Sequence, residues 1–328
     1  MEDIVLLTGD LTLKGPIWPC HRAAFSIRLY SILIALDFAA VILSHMISLG
    51  DEHNDAGKRS RSMNKMARRM IALLGVSWLG LSLIAAPAFA WGKTGHRVTG
   101  AIAERYLSQE ARAAISALIG TESLAQASTW PDEMRSDPDP FWQDVAGPFH
   151  YVTVPKGTSY HLKNAPESGD SFTALAQFSK DLTDPQSPLA IKQRALRFIV
   201  HIIGDLHQPL HVGNGTDRGG NDVKLSWFRD ESNLHRVWDS EMIDGELLSY
   251  SEWTAWLTAP LSDADVAALM ISDPKIWIAE SAAIRPGLYP DKSELSYDYL
   301  YQNMPIVKDQ LTKGGLRIAA YLNQLLAQ

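Results

Sequence analysis

From Thr94 onward, apolar positions recur mostly with a helical period. Thr94–Leu107 places Val98, Ile102 and Tyr106 on one face with Ala101 beside them, which predicts an amphipathic helix. Ser108 supplies an N-cap and Gly120 a stop for a second helix over Gln109–Ile119. The pattern then dissolves. Residues 128–170 are rich in Pro, Gly, Asp and Ser, which is loop chemistry, with one extended fragment at His150–Val154. Helices return at Ser171–Leu182 and Leu189–Leu206, and Pro209 ends the second. Gly213–Gly220 reads as a Gly-rich turn into an alternating, strand-like segment, Asn221–Phe228. Downstream, the helical period covers 233–248, 251–257, 261–270, 273–284 and 293–325, the last broken near Pro305. Without internal repeats or a low-complexity linker, this pattern predicts an all-α fold class: one domain over 91–328, with a small β-hairpin near 221–228.

The 90 residues before it have a different character. Met63 opens a stretch with Lys65, Arg68 and Arg69, followed by a charge-free apolar run Ile71–Ile84 and by Ala-Ala-Pro-Ala-Phe-Ala ending at Ala90. A basic region, a short apolar region and an A-x-A site make a signal peptide over 63–90, cleaved between Ala90 and Trp91. The expected destination is the periplasm or the exterior, with no membrane association in the mature form. Residues 1–62 contain a second apolar stretch, Leu29–Leu49, interrupted by Asp37 and His45. They read as an upstream extension with Met63 as the true initiator; a signal-anchored form is the alternative.

Subtracting that segment sharpens the charge. The chain carries 30 basic and 37 acidic residues, of which 9 and 7 precede Trp91, leaving 21 against 30, a net of −9. Such a domain lacks the basic stripe that non-specific duplex binding needs, so any nucleic-acid chemistry requires another source of positive charge. Cys20 is the only cysteine and lies upstream. The exported part therefore has no disulfide, and its stability must come from core packing, bound ions, or both.

Candidate chemistry concentrates in Arg197–His211. His201 and Asp205 are four apart, so on a helix they share a face, and their neighbours Phe198, Ile199, Val200, Ile202 and Ile203 place the pair in an interior. A buried ionised carboxylate needs a partner or a cation. For one such pair a plain His–Asp hydrogen bond is the simpler account. A second pair at the same spacing, His235 and Asp239, together with His211, raises the case for metal, since these supply donors for more than one zinc. Asp132 and His150 lie upstream; alone, each reads as a turn residue and a structural histidine. Cleavage after Ala90 would free the Trp91 α-amine, a zinc ligand once deprotonated, with His96 five residues on.

Taken in order, Trp91-x4-His96, Trp130-x-Asp132, Phe149-His150-Tyr151, His201-x3-Asp205-x5-His211 with Gln208-Pro209-Leu210 inside it, Gly219-Gly220-Asn221-Asp222 and Asn233-Leu234-His235-x2-Trp238-Asp239 resemble the zinc-dependent single-strand nucleases and 3′-nucleotidases, typified by the fungal nucleases S-one and P-one. The resemblance runs from Trp91 to about Ser240 and implies the helical fold that these enzymes share with phospholipase C. It also implies three Zn²⁺ per chain: one held by Asp132, His150, His201 and Asp205, one by His211, His235 and Asp239, and one by the Trp91 amine and carbonyl with His96 and Asp205. Substrates would be single-stranded DNA or RNA, cut to 5′-phosphates, and 3′-nucleotides, with no stable protein partner. Arg135 matches a position where family members carry an arginine that stabilises the charged transition state; otherwise it is an exposed salt bridge. Tyr151 matches a base-stacking aromatic; otherwise it is a core tyrosine. Ser240 and Pro155 depart from the fungal pattern, which leaves base preference open. His161 reads as a surface loop residue, and His207 as a supporting or helix C-terminal one.

Two rivals follow from the same residues. A zinc-dependent phospholipase C would use a similar three-metal site, although the short Trp91–His96 spacing and Asp239 in place of Glu favour the nuclease. A zinc-storage protein would bind the metal without releasing phosphate.

Overall fold

The computed structural model describes residues 91–327. The expected signal peptide, upstream extension and Leu29–Leu49 stretch lie outside the described residues. Two helices form the spine, α1 (Lys93–Arg105) near the start and the 30-residue helix α12 (Tyr297–Leu326) at the end. Between them in chain order come α2 (Gln109–Ile119), α3 (Leu124–Ala127), α4 (Trp130–Met134), α5 (Ser171–Thr183), α6 (Leu189–Leu206), α7 (Leu234–Arg236), α8 (Met242–Asp244), α9 (Tyr250–Thr258), α10 (Asp263–Leu269) and α11 (Pro274–Ile284). No helix among the described residues is long and apolar enough to cross a membrane.

Local chemistry explains the boundaries that sequence reading places well. Ser108 accepts from the Ala111 N–H and Gly120 ends α2 at φ 63°, a conformation open to glycine at little cost. Asp170 caps α5, its side chain accepting from the Thr173 N–H. The C-terminal half of helix α6 is enclosed on every side: Ala195, Leu196 and all residues from Phe198 to Leu206 are buried, the pattern of a helix surrounded by its own protein. Phe198 lies between Phe178 and Trp142, stacked on them at 4.4 and 5.6 Å, which fixes the rotation of α6 one turn before His201.

Two apolar clusters make up the core. One gathers α5, α6 and Trp277; the other gathers Trp91, Val98, Trp238, Trp253 and Leu311. Helices α1 and α12 contribute to both, Ile102 and Leu316 on one side, Ala103 and Ile318 on the other. They approach closely because residue 315 is glycine: a Cβ there would stand 2.4 Å from Ile102 Cβ.

The structure corrects four expectations. Residues 128–170 are not an open loop; they hold α4, a π turn at Phe141–Val145, a 3₁₀ turn at Gly147–His150 and strand β1 (Val152–Thr153). Pro and Asp here start short turns instead of ending long ones. The hairpin falls later than 221–228: β3 (Lys224–Trp227) pairs antiparallel with β4 (Asp230–Asn233), and β5 (Glu294–Leu295) joins β3 in parallel, where a helix start was expected. Phe228 and Arg229 make the turn with φ of 48° and 79°. A second small sheet pairs β1 with β2 (Val212–Gly213) in parallel. The expected helix 233–248 is α7 and α8 joined by a π turn at Val237–Glu241. Finally, Pro305 does not break α12. It sits on the exposed side of the helix, while buried Met304, Val307 and Leu311 hold the helix on course.

The α1–α12 contact yields a stability prediction. Gly315→Ala should cost about 1–3 kcal/mol through overpacking against Ile102, whereas Gly287→Ala, with nothing within 4 Å of the new Cβ, should stay within about 0.5 kcal/mol of the parent. Chemical denaturation of the two variants checks the contrast, and equal midpoints would contradict it.

Candidate metal centre

The site is built from separate stretches of chain. Helix α6 carries His201 and Asp205 on one face, as the four-residue spacing requires. The first turn of α4, with Pro131 as its second residue, presents Asp132. His150 ends the 3₁₀ turn before β1, and His211 ends another, Pro209–His211, that follows α6. His235 and Asp239 come from α7 and the π turn, and His96 from α1. All eight side chains are buried.

They converge on three groups that could hold a cation: His96 with His201 and Asp205, Asp132 with His150 and His201, and His211 with His235 and Asp239. Asp205 is the hub. Its Oδ1 lies 3.2 Å from His96 Nε2 and 3.8 Å from His211 Nδ1, and its Oδ2 lies 3.1 Å from His201 Nε2 and 3.3 Å from His150 Nδ1. Asp132 Oδ1 stands 3.9 Å from His150 Nδ1 and 4.0 Å from His201 Nε2. In the third group His235 Nε2 is 2.9 Å from Asp239 Oδ2, and His211 Nε2 is 3.6 Å from Asp239 Oδ1.

Ring orientation is set from outside the cluster. Nδ1 of His201 meets the Ser128 carbonyl at 2.7 Å, Nδ1 of His211 the His150 carbonyl at 2.7 Å, and Nδ1 of His235 the Gly219 carbonyl at 2.7 Å. A carbonyl can only accept, so in each case Nδ1 carries a proton and Nε2 is the ring nitrogen turned inward, the one left to bind a cation. Gly219 can supply its carbonyl because it sits at φ 62°, where a Cβ would meet the Leu210 carbonyl oxygen at 2.5 Å. His150 is turned the other way, with Nδ1 facing the cluster.

The electrostatics are those of buried anions among imidazoles. Burial opposes ionisation of Asp205, yet His201 and His211 outweigh it and hold the carboxyl well below its usual range. Burial also lowers the His96 and His150 imidazoles, the neighbouring carboxylates notwithstanding. At His201 burial is overcome by Asp205 and Asp132, which raise it; at His211 burial is overcome by Asp205 and Asp239, which push it up to about 9. His96 and His201 stack at 4.0 Å, so protonating one disfavours protonating the other.

The donor set fits a small divalent cation. Zinc bonds of about 2.0–2.1 Å in a tetrahedron put donor atoms about 3.3 Å apart, close to the spacings around Asp205 Oδ2. Buried ligand atoms of these residues lack a hydrogen-bond partner: His96 Nε2, Asp132 Oδ1, Asp205 Oδ1 and His211 Nε2, with His96 Nδ1 also unpartnered beside Gly204. Orphaned buried polar atoms are costly, and their concentration at one spot is what a metal centre requires.

The remaining sequence candidates fall as follows. Trp91 is fully buried at the start of the described chain, and the next residue's N–H donates to the Asp239 carbonyl at 2.6 Å, so this end of the chain lies against the third group. Arg135 Nη1 is 3.5 Å from Asp132 Oδ1 with its side chain 26% exposed. Tyr151 is 47% exposed, which removes its reading as a core tyrosine. His161 is exposed, as expected. His207 is fully buried; it donates from Nδ1 to the Ile203 carbonyl and accepts from Arg317, and burial and the Arg317 charge lower it to about 3. Sequence reading gave no role to Gln208, which is fully buried and donates to Asp239 Oδ1. The signal was its place in the Gln-Pro-Leu-His segment beside a candidate ligand.

Comparison with known proteins agrees with this geometry. The chain is similar to Endonuclease 4 of Arabidopsis thaliana, 30% identical over 276 residues, which cover 73% of this chain and 90% of that protein. It is similar to Nuclease S1 of Aspergillus oryzae at 28% over 294 residues, 79% of this chain and 99% of that protein. It is similar to Nuclease P1 of Penicillium citrinum at 27% over 274 residues, 72% and 97% respectively. The S1/P1 Nuclease family profile matches residues 91–327, the whole span that carries the buried histidine–aspartate cluster, and the chain belongs to that family.

Proposed function

We propose that residues 91–328 form a secreted or periplasmic zinc-dependent nuclease that hydrolyses single-stranded DNA and RNA to 5′-phosphates and releases the 3′-phosphate of nucleotides. The observation that carries the reading is the convergence of three histidine–aspartate groups in one buried cluster of a chain from this nuclease family. Nitrogen and carboxylate donors without thiolates suit Zn²⁺. Asp132, His150, His201 and Asp205 would hold one ion and His211, His235 and Asp239 a second. The Trp91 amine and carbonyl would join His96 and Asp205 on a third, which requires cleavage at Ala90–Trp91. When bound, zinc supplies Lewis acidity toward a phosphoryl oxygen and brings the pKa of a coordinated water to near neutrality.

The chain's own groups do the rest. Asp205 joins the groups through both of its oxygens, so the donors around it keep a fixed spacing. Arg135 pairs with Asp132 from the partly exposed side of the cluster, where its planar fork can meet the non-bridging oxygens of a phosphate. Tyr151 follows His150 directly and exposes its ring, which suits stacking on an unpaired base. Single strands are favoured because a duplex keeps its bases stacked and paired. The phospholipase reading is disfavoured: the matched family and the relatives above are nucleases.

Purified protein should hydrolyse single-stranded DNA, RNA and 3′-AMP, lose the activity in EDTA, regain it with Zn²⁺, and leave phosphatidylcholine vesicles intact. Turnover of vesicles alone would overturn the assignment. Elemental analysis should find three zincs per chain and N-terminal sequencing should begin at Trp91; three zincs on an uncut chain would refute the amine ligand.

The two flanking residues should separate kinetically. Arg135→Ala should lower kcat about 10²–10³-fold with zinc content unchanged, the size of one lost transition-state donor. Tyr151→Ala should weaken substrate binding by about 1–3 kcal/mol, read mainly in KM. Steady-state kinetics on a short oligonucleotide tests both, and a Tyr151→Ala defect confined to kcat would remove the stacking role.

A further inference from the structure

We infer that Gln208 is a positioning residue for the His211–His235–Asp239 group and sets how tightly that group holds its metal; this rests on the metal reading above. Gln208 is fully buried directly after helix α6, three residues beyond Asp205. Its side-chain oxygen accepts from the Leu210 N–H at 2.6 Å and so caps the turn that presents His211. A backbone N–H can only donate, so this bond fixes the amide's orientation and leaves Nε2 as the end that faces Asp239. Nε2 donates to Asp239 Oδ1.

One side chain therefore touches the two elements that make the third group. It shapes the turn that ends at His211 and holds an oxygen of Asp239, 31 positions downstream. Asp239 Oδ1 also lies 3.6 Å from His211 Nε2, an atom without a hydrogen-bond partner, while Oδ2 faces His235 at 2.9 Å. With Oδ1 tied to Gln208, the carboxylate cannot rotate about its Cβ–Cγ bond without breaking a buried bond, and its other oxygen stays on His235. Partners of this kind around ligating carboxylates are worth roughly 10–100-fold in metal affinity. Gln208 also follows α6, which carries His201 and Asp205, so it ties the third group to the same helix end as the other two.

The test separates the two ends of the amide. Gln208→Glu keeps an oxygen to cap Leu210 but removes the donor to Asp239, whereas Gln208→Met removes both in an uncharged side chain of similar length. Mature wild-type and variant proteins are equilibrated with graded free zinc set by a chelator buffer, and bound zinc per chain is measured, with circular dichroism reporting the fold. In both variants one zinc should leave at about 10–100-fold higher free zinc than in wild type, the rest being held as in wild type. If Gln208→Glu does not fold, Gln208→Met decides alone. Native zinc retention in a folded variant, or equal weakening of every zinc, would overturn the inference. A wild type that binds no zinc would instead sink the metal reading on which it stands.

Discussion

Three buried carboxylates govern the architecture. Asp132, Asp205 and Asp239 are 7%, 0% and 2% exposed, in a domain with no disulfide to stabilise it. Enclosing an ionised carboxylate in an apolar interior is costly unless positive charge comes with it. Five histidines surround them; the carboxylates raise His201 and His211 against burial, but burial holds His96 and His150 below their ordinary values, so protonation of the rings answers only part of the need. Side chains alone leave buried donors of both types unsatisfied at the centre. The fold is thus organised around a place that a cation would complete, and binding there would couple to folding.

That constraint explains the irregular backbone around a regular spine. Helix α6 can offer its own residues to the cluster, but its neighbours must come from segments that turn sharply. His150 and His211 end 3₁₀ turns, Asp239 lies in a π turn, and Gly219 needs a left-handed conformation to aim its carbonyl at His235. Such wide and tight turns are common where a helix must re-aim a side chain. The carbonyls that orient the rings belong to Ser128, His150 and Gly219, so the segments that look least structured in sequence carry the outer support of the site.

The limits of sequence reading follow from the same division. Helices α2 and α6 were legible nearly to the residue because their signals are local: Ser108 and Gly120 for one, a buried run ending at Pro209 for the other. The His201–Asp205 and His235–Asp239 pairs were legible as spacing. The turns of 128–170 were not, since their conformation answers to distant partners such as Ser128 on His201 and Trp142 on Phe198. Pro305 misled because the local cost of a proline inside a helix is outweighed by packing that the sequence does not announce: its ring is exposed, while Met304, Val307 and Leu311 beside it are buried. Gln208 was legible as part of a motif but not in its role, because that role is a contact across 31 residues that the local pattern does not specify.

On the proposed reading, the position of Trp91 would connect cleavage after Ala90 to the chemistry of the site. A residue at the edge of a domain is ordinarily exposed and frayed. Trp91 is instead fully buried, the Gly92 N–H bonds the Asp239 carbonyl, and a Cβ at residue 92 would collide with the Ser240 hydroxyl. The first described residues thus form part of the wall of the candidate metal centre. On the proposed reading, a peptide nitrogen at that point is a poor metal donor and a free amine a good one, so cleavage after Ala90 changes the donor set without requiring the surrounding fold to move. The acidic surface then poses no obstacle to a polyanionic substrate, because the compensating charge would sit in the cleft where the phosphate is cut.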